Sequence, residues 1–167
     1  MIRVDFAGPI KYKVTKKQES KAYFVLFSCS LTRGVYLEVL KSLKTAGFLQ
    51  SLKRLIARRG RQGLIHSDNG QTFKAAATWL RKVRKDEKCY DQLNKYEIQW
   101  RFNHSLGPWW GGQFERWIGI FKSAFYKVIG GGLLTLEELS ESVLDVEICI
   151  NNRPLRYLED DVQFPVG

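Results

Sequence analysis

Ala22-Tyr23-Phe24-Val25-Leu26-Phe27 is an unbroken run of apolar residues, four of them aromatic or β-branched. A strand with one wet face alternates apolar and polar residues. A strand apolar throughout is buried on both faces, so its sheet must carry cover on both sides.

The flanking sequence supplies that cover. Ile2 to Phe6 alternates and then meets Gly8-Pro9, which reads as a strand ending in a turn. Thr32-Arg33-Gly34 marks a hairpin turn, and Val35-Tyr36-Leu37-Glu38-Val39 follows as a third strand. Thr45 to Arg59 places Phe48, Leu52, Leu55 and Ile56 at helical spacing, and Gly60 stops that helix. Leu64-Ile65 is a short buried strand delivering Ser67-Asp68-Asn69-Gly70, and an alanine-rich helix runs from Thr72 to Arg84. The charged stretch Lys85 to Lys95 reads as a surface loop or short helix, and Ile98 to Phe102 alternates as a fifth strand.

Pro108 to Gly112 is a glycine and tryptophan loop that opens a long helix to about Val128, closed by Gly130-Gly131-Gly132. Thr135-Leu136-Glu137-Glu138 has the form of a capping box, with Leu134 and Leu139 placed as its hydrophobic staple. The last helix buries Leu136, Leu139, Val143, Val146 and Ile150, and Pro154 terminates it. Three antiparallel strands followed by αβ alternation predict an α/β fold: a mixed five-stranded sheet flanked by helices, one domain over residues 1–167. A strand that starts almost at residue 1 and a chain that stops at Phe164-Pro165-Val166-Gly167 lead us to expect a fragment of a longer polypeptide.

Composition narrows the partners. Apolar residues make up 44% of the chain, enough for a packed core, but no apolar run approaches the roughly 20 residues that span a bilayer. Asp5 and Lys11 interrupt anything resembling a secretory leader, and no membrane partner is expected. Lysine and arginine number 27 against 17 acidic residues, a net charge of +10 that makes a polyanion the first partner to consider. Cys29, Cys89 and Cys149 are odd in number and far apart, which suits a reducing compartment and inert, buried thiols. With two histidines they make a poor zinc set.

Within this basic chain three acids stand at strand ends or helix starts: Asp5 before Phe6-Ala7-Gly8-Pro9, Asp68 before Asn69-Gly70, and Glu115 after Gly111-Gly112-Gln113-Phe114. Each has a plain structural reading, as a turn residue, a helix start and a first-turn acid favouring the helix dipole. Their joint occurrence in this strand order points instead to divalent metal. Mg²⁺ takes hard oxygen ligands from few carboxylates plus substrate phosphate. A pair of such ions about 3.5–4 Å apart can activate an attacking oxygen and stabilise the leaving oxygen of a phosphodiester. If the first and fourth strands are neighbours, Asp5 and Asp68 converge and Glu115 reaches them from its helix, with Asp5 as the bridging ligand.

On the same helix Glu115, Gly119, Lys122 and Tyr126 share one face, offering a ligand, a gap and a cation to a DNA backbone. Phe114, Trp117, Phe121 and Phe125 form a separate core stripe. Arg116 is a further DNA candidate, with a plain surface role open to it. Trp109-Trp110 could stack on bases or close the loop over the sheet. His66 is expected to fix the strand end by a hydrogen bond, and His104 is a possible substrate-facing residue.

The motifs Val4-Asp5-Phe6-Ala7-Gly8-Pro9, His66-Ser67-Asp68-Asn69-Gly70-Gln71-Thr72-Phe73 and Pro108-Trp109-Trp110-Gly111-Gly112-Gln113-Phe114-Glu115-Arg116 together resemble the catalytic core of retroelement integrases. Leu134-Thr135-Leu136-Glu137-Glu138-Leu139 and Asn151-Asn152-Arg153-Pro154-Leu155 narrow the resemblance to the BEL/Pao type of LTR retrotransposon, over essentially the whole chain. It implies a ribonuclease-H-like fold and a polynucleotidyl transferase that trims the element's 3′ ends and joins them to target DNA. Asp5, Asp68 and Glu115 would then be the catalytic ligands of Mg²⁺ or Mn²⁺, two ions in all, with Asn69 beside the second ligand and Lys122 at a position used for element DNA ends.

The resemblance also implies a homo-oligomer acting on DNA in the nucleus, reached from a cytoplasmic virus-like particle. The gap between Asp68 and Glu115 is longer than in retroviral integrases, with the extra length placed in Lys82 to Tyr96. The family's zinc-binding N-terminal domain and C-terminal DNA-binding region are missing from this sequence. The competing reading is a domesticated or decayed core that binds DNA or protein without catalysis. A ribonuclease H proper would want a further acid, for which Asp145 is the nearest candidate.

Overall fold

A computed structural model describes residues 1–60, 63–68, 70–85, 98–102 and 108–153; residues 79, 80, 82–85, 108–115, 117 and 118 are described as backbone only. Among the described residues five strands and four helices follow one another: β1 (Ile2–Thr15), β2 (Gln18–Cys29), β3 (Val35–Leu40), α1 (Thr45–Arg59), β4 (Leu64–Ser67), α2 (Gln71–Lys85), β5 (Gln99–Phe102), α3 (Pro108–Ile129) and α4 (Leu136–Asn151). The sheet order is β3-β2-β1-β4-β5, with β1, β2 and β3 antiparallel and β1, β4 and β5 parallel. The mixed sheet expected from the sequence is therefore present, with β1 at its centre.

β2 is covered on both sides, as its apolar run requires. Val25 and Phe27 face a core shared with Phe48, Leu52 and Leu55 of α1 and Phe73 of α2. Ala22, Phe24 and Leu26 face a second core with Phe121 and Phe125 of α3 and Leu139, Val143, Val146 and Ile150 of α4. The first core continues across β1 through Ile2 and Val4, the second through Ala7 and Tyr12.

Two sequence expectations fail at element ends. β1 does not stop at Gly8-Pro9. The β1–β2 register breaks between Ala7 and Ile10, and pairing then resumes as far as Thr15. Gly8 sits at φ +116°, where a Cβ would come within 3.1 Å of the Ala22 carbonyl oxygen, so the strand passes this irregularity only with glycine. The far end of β1 is tied down by the Lys13 N–H, which donates to the Leu134 carbonyl at 2.7 Å.

Nor is Pro108 to Gly112 a loop, because the backbone there is already helical. Proline suits the first helical position, where no N–H is needed, and α3 thus starts seven residues before Glu115. Glu115 lies about two turns inside the helix, and no acid occupies the first turn, so the helix-dipole reading of this residue falls.

α4 follows the sequence closely. Thr135 accepts from the Glu138 N–H, and the Glu138 side chain accepts from the Thr135 N–H at 2.8 Å, completing the capping box. Leu139, Val143, Val146 and Ile150 are buried, while Leu136 is only half-buried. At its other end Asn151 closes the edge of the sheet. Its Oδ1 accepts from the Val35 N–H at 2.7 Å and its Nδ2 donates to the Val35 carbonyl at 2.8 Å. Glu147 accepts from the Leu37 N–H, so α4 side chains occupy edge groups that would otherwise pair with another strand. Pro154 lies outside the described residues.

Cys29 is half-buried and Cys149 exposed, which corrects the expectation of buried thiols; Cys89 is outside the described residues. No described helix is long and apolar enough to cross a membrane.

Candidate active site

The parallel register of β1 and β4 decides where the acids meet. Ile2 pairs with Ile65 and Arg3 with His66, and the same offset carried two residues further sets Asp5 level with Asp68. Alternation places the side chains of β1. Ile2 and Val4 belong to the α1/α2 core, whereas Ala7 belongs to the α3/α4 core, so Asp5 lies on the face covered by α3. That is the helix that carries Glu115.

Each aspartate is oriented by its own backbone. Asp5 Oδ1 accepts from the Phe6 N–H at 2.7 Å. Asp68 Oδ1 accepts from the Gly70 N–H at 2.7 Å, an Asx turn that leads into α2. A Cβ on Gly70 would stand 2.8 Å from that same Asp68 oxygen, so glycine here keeps the carboxylate in place. Burial pushes the Asp5 carboxyl up to about 6; the Phe6 N–H works against the rise and the Asp68 charge adds to it. Asp68 itself is exposed. Two carboxylates thus repel one another at the end of a parallel strand pair.

Behind them aromatic packing and a short chain of hydrogen bonds support the two segments. Phe6, next to Asp5, stacks on Phe73 of the first turn of α2 at 4.5 Å between centroids and 9° between planes. Phe48 meets both rings edge-on, at 5.7 Å and 5.1 Å. The Trp100 Nε1–H donates to Ser67 Oγ at 2.9 Å, and the Ser67 hydroxyl donates to the Asp68 carbonyl at 2.9 Å. Ser67 has no solvent exposure, so this chain of bonds locks the end of β4 just before Asp68. None of these supports was singled out from sequence. The Ser67 and Gly70 signals lay within the Asp68 motif, but the Trp100 partnership depends on β5 lying beside β4.

The donor set fits a hard divalent cation: two carboxylates, each with Oδ1 held by a backbone N–H. Among the described side chains no group of three acidic, histidine or cysteine ligands forms, and Glu115 is described only as backbone. Asn69 and His104 lie outside the described residues. Gly119, Lys122 and Arg116 are all exposed on α3, and Tyr126 on the same helix is 63% exposed. Phe121 and Phe125 take the core positions expected of them, while Phe114, Trp117, Trp109 and Trp110 are described only as backbone. His66 is half-buried in β4 opposite Arg3. Asp145 is exposed on α4 between core positions Val143 and Val146, which gives no support to the ribonuclease H variant.

No protein-family model and no curated protein matches the sequence. Solved structures do resemble the fold. The catalytic core domain of BIV integrase is 14% identical with a TM-score of 0.62, covering 93% of this chain and 86% of that one. The HTLV-2 integrase catalytic core domain, solved in complex with magnesium in a trimeric form, is 19% identical with a TM-score of 0.53, covering 86% and 80%. A chain of the simian T-cell lymphotropic virus intasome in complex with PP2A regulatory subunit B56 gamma is 18% identical with a TM-score of 0.59. This chain covers 55% of that one, matched over 93% of its own length. The fold of the protein is therefore the ribonuclease-H-like fold of integrase catalytic cores.

Proposed function

We propose that the protein is the catalytic core of a retroelement integrase, one domain of a longer chain, that trims the 3′ ends of element DNA and joins them to target DNA. The observation carrying this reading is the β1–β4 register, which levels Asp5 with Asp68 on a sheet whose Asp5 face is covered by the Glu115 helix. Asp5, Asp68 and Glu115 would hold two Mg²⁺ or Mn²⁺ ions. Such ions, when bound, lower the pKa of an attacking hydroxyl and stabilise the leaving oxygen of a phosphodiester.

The chain's own residues do the rest. With its pKa near 6, Asp5 is mostly ionised at neutral pH and is available as an acceptor of positive charge. The Phe6 and Gly70 N–H groups fix one oxygen of each aspartate, so the remaining oxygens point without a search through rotamers. Lys122, Arg116 and Gly119 offer an exposed basic surface for the phosphates of DNA, with Asn69 adjoining Asp68 in sequence. The BEL/Pao motifs assign the element type, and the work of such an enzyme implies a homo-oligomer acting in the nucleus.

The test is incubation with Mn²⁺ and a labelled duplex ending in the encoding element's terminal sequence. Trimmed and joined products are expected, falling at least about 100-fold in Asp68→Asn and Glu115→Gln. Equal product from those variants would overturn the assignment of the triad. Retained DNA binding without any product would favour the non-catalytic reading.

A further inference from the structure

Beside the Lys122 face lies a groove of about 540 Å³ between α3 and α4, floored by Ile120, Ala124 and Ile150 and lined by Arg116, Lys127 and Arg153. The three cations are exposed, Arg116 and Lys127 on α3 and Arg153 just past the end of α4, and no carboxylate is among the lining residues. None is paired with a described acid. Gly119 belongs to both surfaces. It lies between Glu115 and Lys122 on the helix face and also lines the groove, and a Cβ built there meets nothing within 4 Å.

We infer that this groove seats the phosphate backbone of duplex DNA leaving the Lys122 face, an inference that rests on the proposed function. Arg116 and Lys127 are separated by eleven residues of helix, about 16 Å along the axis. That is far enough apart for the two to hold separate phosphates, while Arg153 approaches from the other wall. The open position at Gly119 lets the backbone cross α3 without a side chain in its way, and the apolar floor meets the deoxyribose edges. Contacts of this kind position DNA without reading its sequence.

Binding of a labelled duplex by fluorescence anisotropy across a salt series separates this from general charge. The variant Arg116→Gln/Lys127→Gln/Arg153→Gln is compared with Lys16→Gln/Lys17→Gln/Lys21→Gln, which removes the same charge from the exposed β1–β2 hairpin. Each lost phosphate contact lowers the slope of log K against log salt by about 0.9, so the groove variant should lose about 2 to 3 and the hairpin variant much less. Equal slopes in the two variants, with wild-type binding intact, would overturn the groove and leave the proposed function standing. No duplex binding by wild type would overturn both.

If the groove variant proves unfolded by circular dichroism, wild type decides the matter. Bound duplex should shield Lys127 from amine acetylation and leave Lys17 reactive, and an unshielded Lys127 would contradict the inference. An acidic amphipathic peptide that binds wild type but not a folded groove variant, with DNA slopes unchanged, would assign the groove to protein instead.

Discussion

Two half-buried carboxylates of the sheet, Glu38 and Asp5, are treated in opposite ways. Glu38 on β3 sits beneath α1. Burial pushes its carboxyl up, but hydrogen bonds from Arg54, Ser51 and Tyr36 outweigh that and hold it below the ordinary range. Arg54 approaches through both Nε and Nη2, at 2.8 Å and 2.7 Å, and the Tyr36 hydroxyl donates to Oε1. Asp5 on β1 is half-buried as well, yet among the described residues it meets one backbone N–H and a second carboxylate, and its pKa rises to about 6. Glu38 is satisfied from within the fold. Asp5 and Asp68 are set against each other instead, as expected of carboxylates that await a cation rather than brace the fold.

The largest effect should come from the aromatic support of the acid pair. Phe73→Ala removes the ring stacked on Phe6 and contacted by Phe48 and opens a cavity behind both aspartates. Chemical denaturation should report a loss of about 3–5 kcal/mol, whereas a loss below about 1 kcal/mol would show that the stack does not hold the two segments together.

The next two variants should act with opposite signs. Asp5 has a folded pKa near 6, above the 3.8 of an unperturbed side chain, so its contribution favours the fold at acid pH and is lost as pH rises from about 4 through 6. In metal-free buffer at pH 8, Asp5→Asn should therefore stabilise the protein by about 1–3 kcal/mol, and at pH 4 by little. Glu38 has its pKa lowered from 4.5, so its contribution is present above that value and fades as pH falls below it. Glu38→Gln should cost about 1–2 kcal/mol at pH 8. Matching signs for the two variants at pH 8 would dissolve the contrast between them.

Smallest is Gly70→Ala. The added Cβ would press on Asp68 Oδ1, and a loss of about 1 kcal/mol is expected as the Asx turn gives way. An unchanged midpoint would show that Asp68 is not held by that turn.

The sheet was legible because its evidence is local. The β2 run, the α1 spacing and the Thr135 capping box each sit within a few residues, and each element appears where its pattern lies. β1 was read short because Gly8-Pro9 breaks strands in most settings. Pairing with β2 across the irregularity, and the Leu134 carbonyl beyond it, supply hydrogen bonds that no local pattern encodes. Likewise Gly111-Gly112 lowers helix propensity, yet the backbone from Pro108 onward is helical.

Within the candidate site, the sequence motifs pointed to Asp5 and Asp68 and to the need for β1 and β4 to adjoin, and the two strands do pair. The supports of the two aspartates were not legible, because Ser67 with Trp100 and Phe6 with Phe73 are partnerships between segments distant in sequence. Asn151 stood out in a motif, but its task at the Val35 edge emerges only from the packing of α4 on β3.

The central claim is that Asp5, Asp68 and Glu115 form one cation site. The most direct measurement is the thermal unfolding midpoint at pH 7.5 with and without Mn²⁺, for wild type, Asp5→Asn, Asp68→Asn and Glu115→Gln. Cation at about 100 times its dissociation constant should add about 2.7 kcal/mol, a rise of roughly 5–10 °C for a domain of this size. The account predicts that rise in wild type and its loss or sharp reduction in all three variants. An equal rise in Glu115→Gln, or none in wild type, would contradict it.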